Sequence, residues 1–256
     1  MNLSDESKPE TELAARVLII VPAYNESGAI ASVVNDLLAA DQDLHVLVVD
    51  DGSTDDTFNT VPSDARVTAL RLPFNLGIGG AVQTGYRYAA LHGYDIAIQV
   101  DGDGQHPPTE LHKLIAQMVK TNADMVVGSR FLPGSGDYNV PTSRKSAINL
   151  LNGLIRILTG GKRVTDCTSG FRAVNKRSIQ ALAHWYPEDY PEPEIIVAMH
   201  RAGFVIDEVP VDMNQREHGT SSISFIDGLF YVLKVGTALV LTTIREPWPK
   251  MKASDN

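Results

Sequence analysis

Apolar residues fall along this chain in two rhythms that take turns. Unbroken β-rich runs occur at Val17 to Val21, His45 to Val49, Val67 to Leu72, Asp95 to Val100 and Asp124 to Val127. Such runs are expected of strands buried on both faces. Between them the spacing turns helical: Ile30, Val33, Val34, Leu37 and Leu38 form one stripe, a helix runs to about Leu91, and Leu111, Leu114, Ile115, Met118 and Val119 form another stripe. Strands alternating with helices predict a parallel sheet with right-handed crossovers, and such sheets bind ligands beyond the carboxyl ends of their strands. The polar clusters at 22–27, 50–56, 73–80 and 101–106 all fall there.

Beyond Gly128 the rhythm loosens. A Gly/Pro-rich loop from Pro133 to Pro141 precedes helices near Arg144 to Leu158 and Lys176 to His184. The proline-punctuated stretch Tyr186 to Glu194 leads into one more helix, and residues 203 to 213 alternate enough for a strand. Phe225 to Ile244 is apolar on nearly every face but carries Asp227 and Lys234, which leaves too short an uncharged run to span a bilayer. It reads either as an interfacial helix, with Lys234 snorkelling and Trp248 at headgroup level, or as a helix packed on the domain or a partner subunit. The expected organisation is a disordered leader over 1–15, a catalytic domain over 16–222 and an amphipathic C-terminal segment over 223–256.

Composition narrows the function. With 256 residues and 43% hydrophobic content the chain can build a sizeable core. A net charge of −9 argues against a nucleic-acid partner, because phosphate backbones demand a basic face. The single Cys167 excludes an internal disulfide and a cysteine-based zinc cage, which suits a reducing, cytosolic compartment.

The stretch with the clearest chemistry is Asp101-Gly102-Asp103-Gly104-Gln105-His106-Pro107-Pro108. Two carboxylates one residue apart at a strand mouth can face one hard cation, and the glycine between them admits bulky phosphates. Asp101, Asp103 and the Gln105 carbonyl form a partial shell for Mg²⁺ or Mn²⁺, with His106 the softer ligand. The same residues also read as a polar turn capping the helix that Pro107 and Pro108 introduce. Gly77-x-Gly79-Gly80 lacks the dinucleotide fingerprint, because Val82 stands where its third glycine belongs.

Taken together, Val21-Pro22-Ala23-Tyr24-Asn25-Glu26, Val49-Asp50-Asp51-Gly52-Ser53-Thr54-Asp55, Asn75-x-Gly77, the stretch from Asp101 to Pro107, Gly128-Ser129-Arg130-Phe131 and Ser169-Gly170-Phe171-Arg172 resemble family 2 glycosyltransferases. More narrowly, they resemble the polyprenyl-phosphate branch of dolichol-phosphate mannose synthases and undecaprenyl-phosphate glycosyltransferases. The resemblance implies an α/β protein of the glycosyltransferase A fold: a Rossmann-like, mostly parallel central sheet flanked by helices, with a C-terminal helical appendage. It implies a UDP- or GDP-sugar donor, with Pro22, Ala23, Tyr24, Glu26 and Gly77 lining its pocket and Asp50 or Asp51 binding base or ribose. Asp101, Asp103 and Gln105 then hold the metal on the diphosphate.

On that likeness the acceptor is a polyprenyl phosphate at the cytoplasmic membrane face, reached by inverting single displacement. Arg130, Arg172 and Arg216 are the candidate phosphate cations, since guanidinium grips phosphate bidentately. Peripheral membrane contact or a small membrane partner is implied, and a homo-oligomer is left open. The competing expectation is a sugar-hydroxyl acceptor, which needs a base, with Asp166 or Glu194 in that role. A lesser one is a non-catalytic nucleotide-sugar binder.

Overall fold

The structure is a computed structural model that describes residues 15–136, 140–214, 225–245 and Trp248. The expected leader (but for its last residue), the stretch around Arg216 and the chain's last residues lie outside the described residues.

The first half follows the apolar rhythm closely. Strands β1 (Val17–Ala23), β2 (His45–Asp50), β3 (Val67–Arg71) and β4 (Ile96–Gln99) alternate with helices α1 (Ile30–Ala40), the single-turn α2 (Thr57–Thr60) and α3 (Gly77–Leu91). Pro108–Glu110 forms a short 3-10 turn that leads into α4 (Leu111–Thr121), followed by β5 (Met125–Ser129). Because successive side chains on a strand alternate in direction, the continuous run of β1 feeds two cores at once. Leu18 and Ile20 join the core under α3, whereas Ile19 and Val21 join the one under α1 and α4.

The second half adds α5 (Thr142–Leu158), β6 (Arg172–Asn175), α6 (Lys176–His184), α7 (Pro191–Arg201), β7 (Ile206–Pro210) and α8 (Phe225–Ile244). The seven strands lie in the order β3-β2-β1-β4-β6-β5-β7. β1 is parallel to β2 and β4, and β2 to β3. β6 inserts antiparallel between β4 and β5, while β7 pairs parallel to β5. The sheet is therefore mixed and mostly parallel, and the four loops following β1 to β4 gather at one edge.

Three expectations change. Strand β6 was not anticipated. Helix α7 begins at Pro191 rather than after Glu194, since proline is well tolerated where the first-turn N–H groups are unpaired in any case. Trp248 is not at a headgroup level: it is 6% exposed, packs edge-on against Trp185 and donates its indole N–H to the Ala181 carbonyl at 2.8 Å. Among the described residues no helix is long and apolar enough to cross a membrane.

Candidate active site

The loops after β1, β2 and β4 and the start of α3 enclose a cleft of about 360 Å³, lined in part by Tyr24, Glu26, Asp51, Gly77, Asp101 and Asp103. Pro22 and Ala23 line it too. The loops are laced together by side chains reaching backbone amides. Ser53 Oγ accepts the Asn25 N–H at 2.9 Å, Thr57 Oγ1 the Glu26 N–H at 2.8 Å, and Asn25 Oδ1 the Thr54 N–H at 2.9 Å.

The two neighbouring carboxylates after β2 part company. Asp51 lines the cleft, accepts the Leu76 N–H at 2.7 Å, and has its pKa raised mainly by burial. Asp50, expected as an alternative donor contact, points elsewhere. It is buried, accepts the Ser53 N–H at 2.9 Å and lies 3.2 Å from Arg71 Nε, so it closes its own turn. That turn needs Gly52, at φ 71°, because a Cβ there would sit 2.8 Å from the Phe74 carbonyl carbon.

Helix α3 delivers its N-terminus to the cleft through Gly77 and Ile78, and Gly77 takes φ 80° to start it. Leu76 at the N-cap offers no capping side chain, but Asn75 Oδ1 accepts the Gly77 N–H at 2.9 Å, and the positive end of the dipole opens on the cleft. Two residues on, Gly79 lies directly against the chain leading into α7. A Cβ there would be 2.2 Å from the Pro187 carbonyl oxygen and 2.5 Å from that of Glu188. Gly79→Ala should therefore destabilise the fold by about 1–3 kcal/mol, the usual cost of overpacking. Calorimetry checks it, and an unchanged melting temperature would remove this contact from the account.

Asp101 and Asp103 are both partly exposed on the cleft. Gly170 presses on Asp101 so closely that a Cβ there would lie 3.1 Å from each carboxylate oxygen. The Asp101 N–H donates to His106 Nδ1 at 3.0 Å, which puts the imidazole proton on Nε2, 3.8 Å from Asp101 Oδ2. His106 is buried and stacks on Phe171, and burial lowers its pKa. It braces Asp101 from behind. The Gln105 carbonyl, expected as a third ligand, accepts the Asn214 N–H at 2.9 Å, which leaves its second lone pair for an ion. Among the described residues no three His, Cys, Asp or Glu side chains gather as a metal cluster. A pair of carboxylates opening on a cleft suits a hard ion that keeps most of its shell for phosphate and water, and not a closed structural zinc site.

Of the arginines, Arg172 cannot grip a ligand phosphate. It is 1% exposed on β6 and donates to the carbonyls of Ser169 at 2.8 Å and Cys167 at 3.1 Å. Arg130 is braced by Asp166, with Nε to Oδ2 and Nη2 to Oδ1 both at 2.7 Å. Asp166 is wholly buried in that pair, and Glu194 accepts the Thr242 hydroxyl at 3.0 Å between α7 and α8. Neither expected base reaches the cleft. From α7 it is Glu192, in the helix's first turn, that lines the cleft, alongside Glu26, Asp51, Asp101 and Asp103. Burial raises its pKa, and the Arg172 charge opposes that rise. Residues two apart on a helix point in nearly opposite directions, so only one of the Pro-Glu-Pro-Glu carboxylates can face the cleft. Taking Pro191 as the first helical residue was the signal available for choosing.

Proteins of similar sequence and fold identify the family. Residues 18–183 match the family described as Glycosyl transferase family 2. An undecaprenyl-phosphate mannosyltransferase of Micrococcus luteus is 35% identical over 216 residues, covering 82% of this chain and 88% of that protein. A UDP-N-acetylglucosamine–dolichyl-phosphate N-acetylglucosaminyltransferase of Methanococcus voltae is 32% identical, covering 87% of this chain and 98% of its own. The crystal structure of glucosyl-3-phosphoglycerate synthase from Mycobacterium tuberculosis, in complex with Mn²⁺, UDP and glucosyl-3-phosphoglycerate, superposes with a TM-score of 0.64. It is 21% identical and covers 90% of this chain and 80% of that one, a likeness of fold that bears out the glycosyltransferase A architecture. With the family match running from β1 into α6, and these relatives spanning most of the sequence, the chain belongs to glycosyl transferase family 2.

Proposed function

We propose that this enzyme transfers a hexose from a nucleoside-diphosphate sugar to a polyprenyl phosphate, with inversion, while peripheral to the cytoplasmic face of a membrane. The observation that carries the proposal is the cleft itself. One cavity joins a wall at Tyr24 and Asp51, the N-terminus of α3, and the Asp101–Asp103 pair. The names of the relatives support the acceptor class, and the Mn²⁺ and UDP of the similar structure support the donor and a divalent ion.

In this reading Asp51 and the loop after β1 hold the nucleoside, and the first turn of α3 faces the diphosphate. Asp101 and Asp103 would hold Mg²⁺ or Mn²⁺, which supplies Lewis-acid stabilisation of the leaving diphosphate. Gly102 keeps that approach open. The acceptor phosphate is an anion near neutral pH and needs no strong base. Of the three expected arginines, Arg172 is buried, Arg216 lies outside the described residues, and Arg130, oriented by Asp166, is the one described that can serve the acceptor phosphate. Incubation with either metal, a panel of labelled UDP- and GDP-sugars and undecaprenyl or dolichyl phosphate should yield an organic-extractable sugar lipid. No such product from folded protein with any donor would defeat the proposal.

Glu192 favours a second reading, a sugar-hydroxyl acceptor with Glu192 as its base. The Glu192→Gln variant separates the two. For a phosphate acceptor it should retain turnover within about tenfold, whereas loss of a general base costs ~10²–10⁴-fold. Single-turnover rates at saturating donor decide between them.

A further inference from the structure

We infer that Glu208 is a positioning residue for the acceptor site, holding Arg130 in place through Asp166 and Thr165. The inference rests on the acceptor-phosphate role proposed for Arg130. Glu208 stands where strand periodicity calls for an apolar side chain. It pairs with Val127 across the β5–β7 ladder and shares a face of β7 with Ile206, which packs on the core that holds Leu151 and Cys167. A carboxylate turned toward a core is costly unless donors meet it.

Here donors surround it. Both oxygens accept the Thr165 N–H, at 2.9 and 2.8 Å, and Oε1 also accepts the Thr165 hydroxyl at 3.0 Å and the Asp166 N–H at 3.1 Å. Because the Thr165 N–H straddles the two oxygens, an amide of the same shape would turn an NH₂ group against it.

These bonds lead to Arg130 along two routes. On the first, Asp166 Oδ2 accepts the Arg130 backbone N–H at 3.2 Å and its Nε–H at 2.7 Å, while Oδ1 accepts Nη2–H at 2.7 Å. With both oxygens spent on Arg130, Asp166 relies on Glu208 to anchor the backbone of its own loop. The second route runs through hydroxyls. Since the Thr165 hydroxyl donates to Glu208, it accepts from the Ser129 hydroxyl 2.7 Å away, and Ser129 Oγ in turn accepts the Phe131 N–H at 3.2 Å. The carboxylate thus sets the direction of three bonds in series, which polarise one another. Arg130 lies between Ser129 and Phe131, so its backbone and its guanidinium are both tied to one acid on the edge strand β7. Apolar packing would hold such loops as firmly. What a carboxylate adds is orientation, and the side chain oriented is the one assigned to the acceptor.

Steady-state kinetics on a short-chain, water-soluble prenyl phosphate, with the donor that yields the sugar lipid, tests this through a double-mutant cycle. Glu208→Gln should raise the acceptor KM by about tenfold, the scale of one charge-assisted hydrogen bond, while kcat and the donor KM stay within about twofold. Arg130→Lys, which keeps the charge and loses the planar fork, should raise the acceptor KM too. In the Arg130→Lys background Glu208→Gln should add less than about twofold, because the geometry it protects is already gone, whereas losses of melting temperature should still add. A Glu208 that served the fold alone would multiply the two kinetic effects, or lower kcat and donor affinity alongside, and either result overturns the inference. Should Glu208→Gln fail to fold, Thr165→Val, which cuts only the hydroxyl route, carries the same cycle with a smaller effect. If Arg130→Lys raises the acceptor KM and the Glu208 or Thr165 variant leaves it unchanged, the inference alone falls. If Arg130→Lys leaves it unchanged, or no prenyl phosphate is turned over, the role proposed for Arg130 falls and the inference with it.

Discussion

Asp103→Asn is expected to lower turnover by roughly two to three orders of magnitude, the scale seen when a group that stabilises developing charge is removed. Its melting temperature should stay close to that of the wild type. The side chain is partly exposed, and its Oδ1 accepts the N–H of Gln105 at 3.0 Å, a bond an amide oxygen can keep. What the amide lacks is charge. Donor affinity in the presence of Mg²⁺ or Mn²⁺ should weaken along with turnover, whereas metal-free nucleotide binding should change little, because Asp51 and the loop after β1 are untouched. Asp101→Asn should lose activity similarly but also some stability, since Gln99, Gly170 and His106 all pack on its carboxylate or bond its backbone. Calorimetry with titrated UDP- and GDP-sugars separates the effects. Wild-type turnover in Asp103→Asn would remove these carboxylates from the chemistry.

The first half of the molecule was legible because its strands are buried on both faces and its helices on one, so periodicity alone separates them. The clustering of polar loops at the strand ends followed from that topology, and the cleft lies there. What stayed hidden was set by tertiary packing. β6 is four residues long and begins with Arg172, which no hydrophobic pattern marks as a buried strand position. The guanidinium survives there because two backbone carbonyls accept from it, while its Nη1 has no hydrogen-bond partner among the described residues. The choices between Asp50 and Asp51, and between Glu192 and Glu194, each turned on which way one side chain points. A strand end or a helix start decides that, and both boundaries are poorly marked in a sequence. Trp248 misled for a related reason: an aromatic near an apolar helix suits an interface, until its indole finds a carbonyl inside the core.

Replacing Asp166 by Ala should be among the most damaging single substitutions to stability. Arg130 and Asp166 are buried together, with side chains 7% and 0% exposed, and joined by two parallel hydrogen bonds. A third bond, from Arg130 Nη2 to Thr168 Oγ1 at 3.0 Å, ties the loop after β5 to the loop before β6. The latter is itself fixed by Glu208 of β7, which accepts the N–H groups of Thr165 and Asp166. Deleting the carboxylate strands a guanidinium where water cannot easily reach it, at a cost of about 3–5 kcal/mol. At ~2–4 °C per kcal/mol for a chain of this size, the melting temperature should fall by roughly 10 °C. Arg130→Met combined with Asp166→Leu should recover most of that loss, because a well-packed apolar pair replaces two desolvated charges. Its activity then tells what the pair is for. If the double variant is stable but fails on polyprenyl phosphate, Arg130 acts on the acceptor; if it is stable and active, the pair only braces two loops. A single Asp166→Ala variant that melts with the wild type would show that the buried pair contributes nothing to the fold.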